Sequence, residues 1–222
     1  MKTNLIQDYK IFEGRYHKQM PLLIQEGFQP LTSKDVMEYR IKAIQSKNKN
    51  EIDFWLNRYF DTADGLAYYD DSLIVVPNLQ ELLNINQDSK LRNRSLALSP
   101  EQYNQLSKEH EIIKRDKIIS GEPLIKEQAK QHPIWLKLAQ EDKSLLNEYA
   151  DAIFAEEKEV YYFDKNMGIY LPNDQDKPSI RAWCLKGLHS GSYADASHAL
   201  NSDYLDYRLL GMCPQNLEKL VK

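Results

Sequence analysis

Most of the features that reveal a protein's role at first reading are missing here. There are only two cysteines, Cys184 and Cys213, 29 residues apart and without a CxxC pair. This excludes the common zinc and dithiol motifs and a disulfide-stapled scaffold, and leaves two free thiols in a reducing compartment as the expected state. No apolar run approaches the ~20 residues that span a bilayer, and the start MKTNLIQDYK turns at once to charged residues without the apolar centre of a signal peptide, so a cytoplasmic protein without a membrane partner is expected. Positive charge is not in excess either: the net charge is −4. A protein that neutralises many phosphates needs a basic face, so nucleic acid is not the expected main partner. The sequence also has no solenoid or propeller repeat, and no HExxH, GxSxG or EF-hand pattern.

What is present is enough for a packed protein. Across 222 residues, 42% are hydrophobic and 28% charged, which supports a core without metal or disulfide staples and excludes wholesale disorder. Fourteen tyrosines supply large half-polar surfaces suited to sheet faces and interfaces.

Along the chain, helical spacing and caps come first. Thr32 or Ser33 caps a helix carrying Val36, Met37, Ile41 and Ile44, and NEIDFWLNRYF reads as another. In DTADGLAYYDDSLIVVPN, Leu66 to Tyr69 and Leu73 to Val76 predict a hairpin, with Asp61, Asp64, Asp70 and Asp71 as turn formers or, alternatively, a cluster for a hard cation. Asn78 is expected to cap the short helix that follows. SPEQ at Ser99 is a capping box with proline at the first helical position. Helical stripes then run from Ile125 to Glu156. A hairpin of VYYFD and MGIYLP around Lys165-Asn166 follows, then strands at Ser179 to Leu185 and Tyr207 to Met212. In SIRAWCL the period of two puts Ile180, Ala182 and Cys184 on one face and Arg181, Trp183 and Leu185 on the other.

The fold class these elements predict is α+β: a mainly helical N-terminal part with a small β-hairpin, then helices packing on a C-terminal antiparallel sheet of about four strands. The expected division is 1–121 and 122–222, within one continuous domain or between two halves. From Gln131 onward the runs HPIWLKLAQ, LLNEYADAIF, MGIYL and SIRAWCLKGLHSGSYA resemble small archaeal proteins of uncharacterised activity. The resemblance implies a recurring C-terminal module and brings no activity with it.

The densest set of reactive side chains lies in GLHSGSYADASHALNSDYLD, between the last two strands. His189, Asp195 and His198 are the types that ligate a divalent metal, with Asp203 or Asp206 as general base for a metal-activated water. His189, Ser190 and Ser192, with Arg181 and Trp183 on the neighbouring strand, can instead hold a small ligand, the small residues letting backbone amides approach an anion. A Ser190 or Ser192, His198 and Asp195 triad has the right residue types only. The competing reading is a polar Gly/Ser loop whose Ser and Asp side chains cap turns. The outward halves of Tyr161, Phe163 and Tyr170 offer a patch for a protein partner or a second copy. The function expected is a binding protein that contacts a protein or small-molecule ligand through the C-terminal sheet and the 187–206 loop, the alternative being a metal-dependent hydrolase.

Overall fold

One long strand, β3 (Tyr59–Tyr69), organises a single mixed sheet of 11 strands. The structure is a computed structural model that describes residues 9–160, 164–173, 176–202 and 207–213. Along its length β3 pairs antiparallel with β9 (Ser179–Leu185). Its other flank is shared. The first half lies parallel to β11 (Tyr207–Met212), and the second half forms a hairpin with β4 (Ser72–Val76); the pairing with β9 shifts register between Asp61 and Gly65. β11 carries the sheet on to β1 (Tyr9–Glu13) and touches β2 (Gln29–Pro30). On the far side β9 pairs with β6 (Ser95–Ala97), which closes a hairpin with β5 (Leu91–Arg92). β9 also pairs with β10 (Ala194–Asp195), which runs parallel to β8 (Ile169–Tyr170); β4 carries β7 (Ile113–Lys114).

This overturns the expected fold class. The sheet is not a C-terminal antiparallel unit of about four strands; it joins both ends of the chain and contains two parallel pairings, β3 with β11 and β8 with β10. The physical reason lies in β3. Its polar run Asp61, Thr62, Asp64 looks like a turn, yet all three are buried inside the strand. Asp64 is tolerated there because its carboxylate accepts the backbone amides of Ser33 (2.6 Å) and Asn78 (2.9 Å), groups that would otherwise be orphaned. Asn78 accordingly does not cap: it takes a positive φ of 49° and Leu79 occupies the cap position of α4 (Gln80–Leu83). The second strand of the expected hairpin at Lys165 survives only as β8, paired parallel with β10. Of its first strand, Val160 is helical and Tyr161 to Phe163 lie outside the described residues.

Helices cover both faces. On one, α2 (Ser33–Ser46), α3 (Lys49–Leu56), α6 (Lys126–Gln131), α7 (Pro133–Leu138) and α8 (Lys143–Val160) pack against Trp183, Leu185, Leu73 and Val75. On the other, α1 (Tyr16–Gln25), α4 and α5 (Pro100–Glu109) pack against Ile180, Ala182, Ile74 and Val76. The period of two therefore splits β9 and β4 between two cores, and a sheet buried on both faces loses the alternation of apolar and polar residues that marks an ordinary strand. The capping boxes at Thr32 with Asp35 and at Ser99 with Gln102 both form.

Arg40 of α2 ties these layers together. It is fully buried and, among the described residues, has no carboxylate partner; it donates to the carbonyls of Trp55 (3.0 Å), Arg58 (3.2 Å) and Leu185 (3.1 Å) and to the Tyr149 hydroxyl (2.9 Å). One guanidinium thus joins α2, the end of α3, the entry to β3, the end of β9 and α8. No helix among the described residues is long and apolar enough to cross a membrane. Cys184 and Cys213 are free thiols.

Candidate functional site

The loop that follows β9 is short, closed on itself and pinned on two sides. Leu188–Ser190 makes one 3-10 turn, Gly191 (φ 81°) and Ser192 (φ 44°) turn the chain back, and the Gly187 carbonyl accepts the amides of Ser190 and Ser192, both at 3.1 Å. Outside the loop, the Met167 amide donates to the Gly191 carbonyl at 3.0 Å. Gly187 is needed for a close approach: a Cβ there would lie 2.8 Å from the Leu56 carbonyl oxygen and 2.8 Å from the Asn57 carbonyl carbon. Because both neighbours are backbone, Gly187→Ala has to push the loop off the α3–β3 junction. We expect it to cost about 1–3 kcal/mol in chemical denaturation, as overpacking does.

Most of the residues singled out from the sequence face inward and build this loop. Arg181 donates from Nε to Ser95 Oγ (2.7 Å) and from its terminal nitrogens to the carbonyls of Asn93 (2.9 Å) and Ser197. Asp195 accepts the Ser197 amide (2.7 Å) and hydroxyl (2.6 Å) on one oxygen and Lys186 Nζ (2.8 Å) on the other. Trp183 is wholly buried in the helix-covered core, and Ser192 is buried as well. His198 is half-buried and its imidazole is pushed down to about 4, chiefly by burial, with Asp195 pulling upward and Lys186 and Arg181 pushing down. It is neutral at physiological pH. His189, Asp195 and His198 do not converge: among the described residues no three His, Cys, Asp or Glu side chains are placed to hold a metal ion. Asp203 and Asp206 lie outside the described residues. The Asp61 to Asp71 segment gathers no cation site either, since Asp61 and Asp64 are inside β3.

Beneath the loop lies a buried polar row. Asp61, Cys184 and Asp195 are register neighbours on β3, β9 and β10. Burial raises the Asp61 carboxyl to about 8; the charge of Asp195 adds to this and a hydrogen bond from the Cys184 thiol opposes it. Burial, then Asp61 and Asp195, also push the Cys184 thiol well up, so it stays protonated and is no nucleophile.

Two of the sequence candidates face outward, His189 and Ser190. The His189 ring stacks on Tyr59, with centroids 5.4 Å apart and planes 10° apart, and the Tyr59 hydroxyl bonds the Ser190 hydroxyl. These rings border a hollow of about 250 Å³ that is completed by Asn57, Arg58 and Arg208. Asn57, Arg58 and Tyr59 gave no site signal because NEIDFWLNRYF looks like one helix, and Arg208 gave none because YRLLGM reads only as a strand. The helix stops at Leu56 with Asn57 as its C-cap, and Tyr59 starts β3. The signal was present in the polar Asn57-Arg58 pair before an aromatic run, a helix exit rather than another turn. Arg208 lies on β11 and pairs with Glu13 on β1 (2.9 Å). Arg58 lies over the Phe54 ring, 4.6 Å from its centroid, and also borders a larger hollow with Tyr9, Ile11, Asp53 and Phe54.

The class of fold follows from comparison with solved structures: the chain has a C-type lectin-like fold. The matched structure is described as showing the accommodation of massive sequence variation in Nanoarchaeota by the C-type lectin fold; it aligns with a TM-score of 0.69 over 92% of this chain and 97% of its own, at 16% identity. No protein-family model and no curated protein matches the chain.

Proposed function

We propose that this chain is a binding protein whose ligand surface is the hollow bordered by Asn57, Arg58, Tyr59, His189 and Arg208. The observation that carries the reading is the division of labour in the loop. Arg181, Asp195 and Ser192 face inward and hold the loop's shape, while His189 and Ser190 are displayed beside Tyr59 at the edge of a concavity. A preorganised polar and aromatic hollow on a hydrogen-bonded frame loses little entropy when a ligand arrives. The fold supports the reading as well, since in the similar Nanoarchaeota protein it accommodates massive sequence variation. A protein surface or a small molecule is the partner, and two free thiols fit a cytoplasmic setting.

A thermal-shift screen over glycans, peptides and small organic molecules tests this. At a concentration about a hundredfold above Kd, a ligand of the folded state is expected to raise Tm by roughly 5–10 °C. The shift should vanish in Tyr59→Ala and His189→Ala proteins whose own Tm is close to wild type. Ligands that stabilise both variants as well as wild type would place binding elsewhere and end the reading.

A further inference from the structure

We infer that the hollow recognises a carboxylate group on its ligand, held between Arg58 and Arg208; this deepens the binding reading above and rests on it. Arg58 and Arg208 both border one small concavity, and they are near enough for the Arg208 charge to act on Arg58. Glu13, exposed on β1, pairs with Arg208 through Nε. Among the described residues no acceptor is bound by the terminal nitrogens of Arg208.

Arg58 has no hydrogen bond or ion pair from its side chain to a described residue. Its guanidinium rests on the Phe54 face, and its own carbonyl is held by Arg40. Asp53 forms no ion pair with it; one of its oxygens accepts the Asn57 side-chain amide at 3.4 Å at the end of α3. Burial, then the like charge of Arg208, lower the Arg58 pKa, with Tyr9 and Glu13 opposing, so an added anion relieves a repulsion already present.

Among the described residues that border this hollow, Arg58 and Arg208 are the charged ones, with Glu13 paired to Arg208, a modest positive charge that suits a carboxylate better than a dianionic phosphate. The planar forks suit two-pronged carboxylate binding. Tyr59 and His189, stacked beside the hollow, offer flat faces for whatever bears the carboxylate.

The test is an NMR titration of the isotope-labelled full chain with three probes: acetate, the blocked peptide acetyl-Gly-Glu-Gly-amide, and its Gln counterpart. Both carboxylate probes are expected to move the amide signals of Asn57, Arg58, His189 and Arg208, and the Gln peptide to leave them in place. A larger response to the Glu peptide than to acetate identifies a peptide-borne carboxylate as the preferred source, and the reverse identifies a free acid. Arg58→Gln should weaken binding roughly tenfold or more. Glu13→Gln, which removes the competing carboxylate, should strengthen it, an effect that a merely structural role for Glu13 would not produce.

If the Gln peptide or neutral glycosides move these signals and the carboxylates do not, the carboxylate assignment is overturned while the hollow remains a binding site. If none of the probes, nor any ligand from the thermal screen, moves them, both readings fall. Binding that is unchanged in Arg58→Gln also overturns the assignment, with Arg58→Lys and the melting curves of all variants excluding unfolding as the cause.

Discussion

Between pH 7.25 and 8 the folded protein should lose stability as pH rises, by up to about 1 kcal/mol per pH unit, and Asp61→Asn should abolish most of that slope. The carboxyl of Asp61, buried between β9, β11 and α1 and neighboured by Cys184 and Asp195, holds its proton to about pH 8 when folded and releases it near 3.8 when unfolded. The folded state therefore carries the extra proton throughout that window, and raising the pH draws the chain toward the unfolded state. Below about pH 7.25 other groups obscure the effect. Asp64, raised to about 6 by burial against the hydrogen bonds from Asn78 and Ser33, adds to the same slope. His132 and His198, both depressed to about 4 chiefly by burial, act the other way, because protonating them favours the unfolded chain as pH falls from 6.5 toward 4. For His132 the reason is visible: its Nδ1 accepts the Ile134 amide at 3.2 Å and caps α7, which a protonated ring cannot do. Chemical denaturation at pH 7.25, 7.6 and 8 reads mainly Asp61, and a slope that persists in Asp61→Asn would show that another group carries it.

Replacing Arg40 should have the largest effect on stability. Arg40→Ala removes the donors to three backbone carbonyls and one hydroxyl, all buried except the part-buried Arg58 carbonyl, and leaves a cavity at the junction of five segments. Each orphaned acceptor and the lost packing contribute, and about 3–5 kcal/mol is expected in urea denaturation. Arg40→Met separates the terms by refilling the volume without the donors, and should recover only part of the loss. Since the Arg58 and Leu185 carbonyls are among its acceptors, Arg40 also fixes the floor on which the hollow stands. A loss near 0.5 kcal/mol would mean that the layers are held without it.

Local features were legible in the sequence wherever one residue type has one conformational use. The helix cap at Thr32, one of the two residues expected there, the capping box at Ser99, the hairpin of β3 and β4, and the two faces of Ser179 to Leu185 all follow from caps and from the period of two. The sheet was not legible, because its central pairings join residues far apart in sequence and its central strand hides carboxylates whose partners come from elsewhere in the chain. Asp64 looks like a turn former until the amides of Ser33 and Asn78 are placed beside it. The site was half legible for the same reason. The loop from Gly187 could be picked out by its density of polar side chains, but density does not say which of them face in. Asp195 and Arg181 became framework, and the outward surface drew Asn57, Arg58, Tyr59 and Arg208 from strands and helix ends that carry no motif of their own.

The central claim, that the hollow beside Tyr59 and His189 is where this protein binds its ligand, is tested most directly by a crystal structure of the protein soaked with the strongest ligand from the thermal screen. Ligand density contacting Arg58, Tyr59, His189 and Arg208, with Arg181 and Asp195 unmoved beneath it, is the expected result. Density at full occupancy on another face, with this hollow holding only solvent, would contradict it.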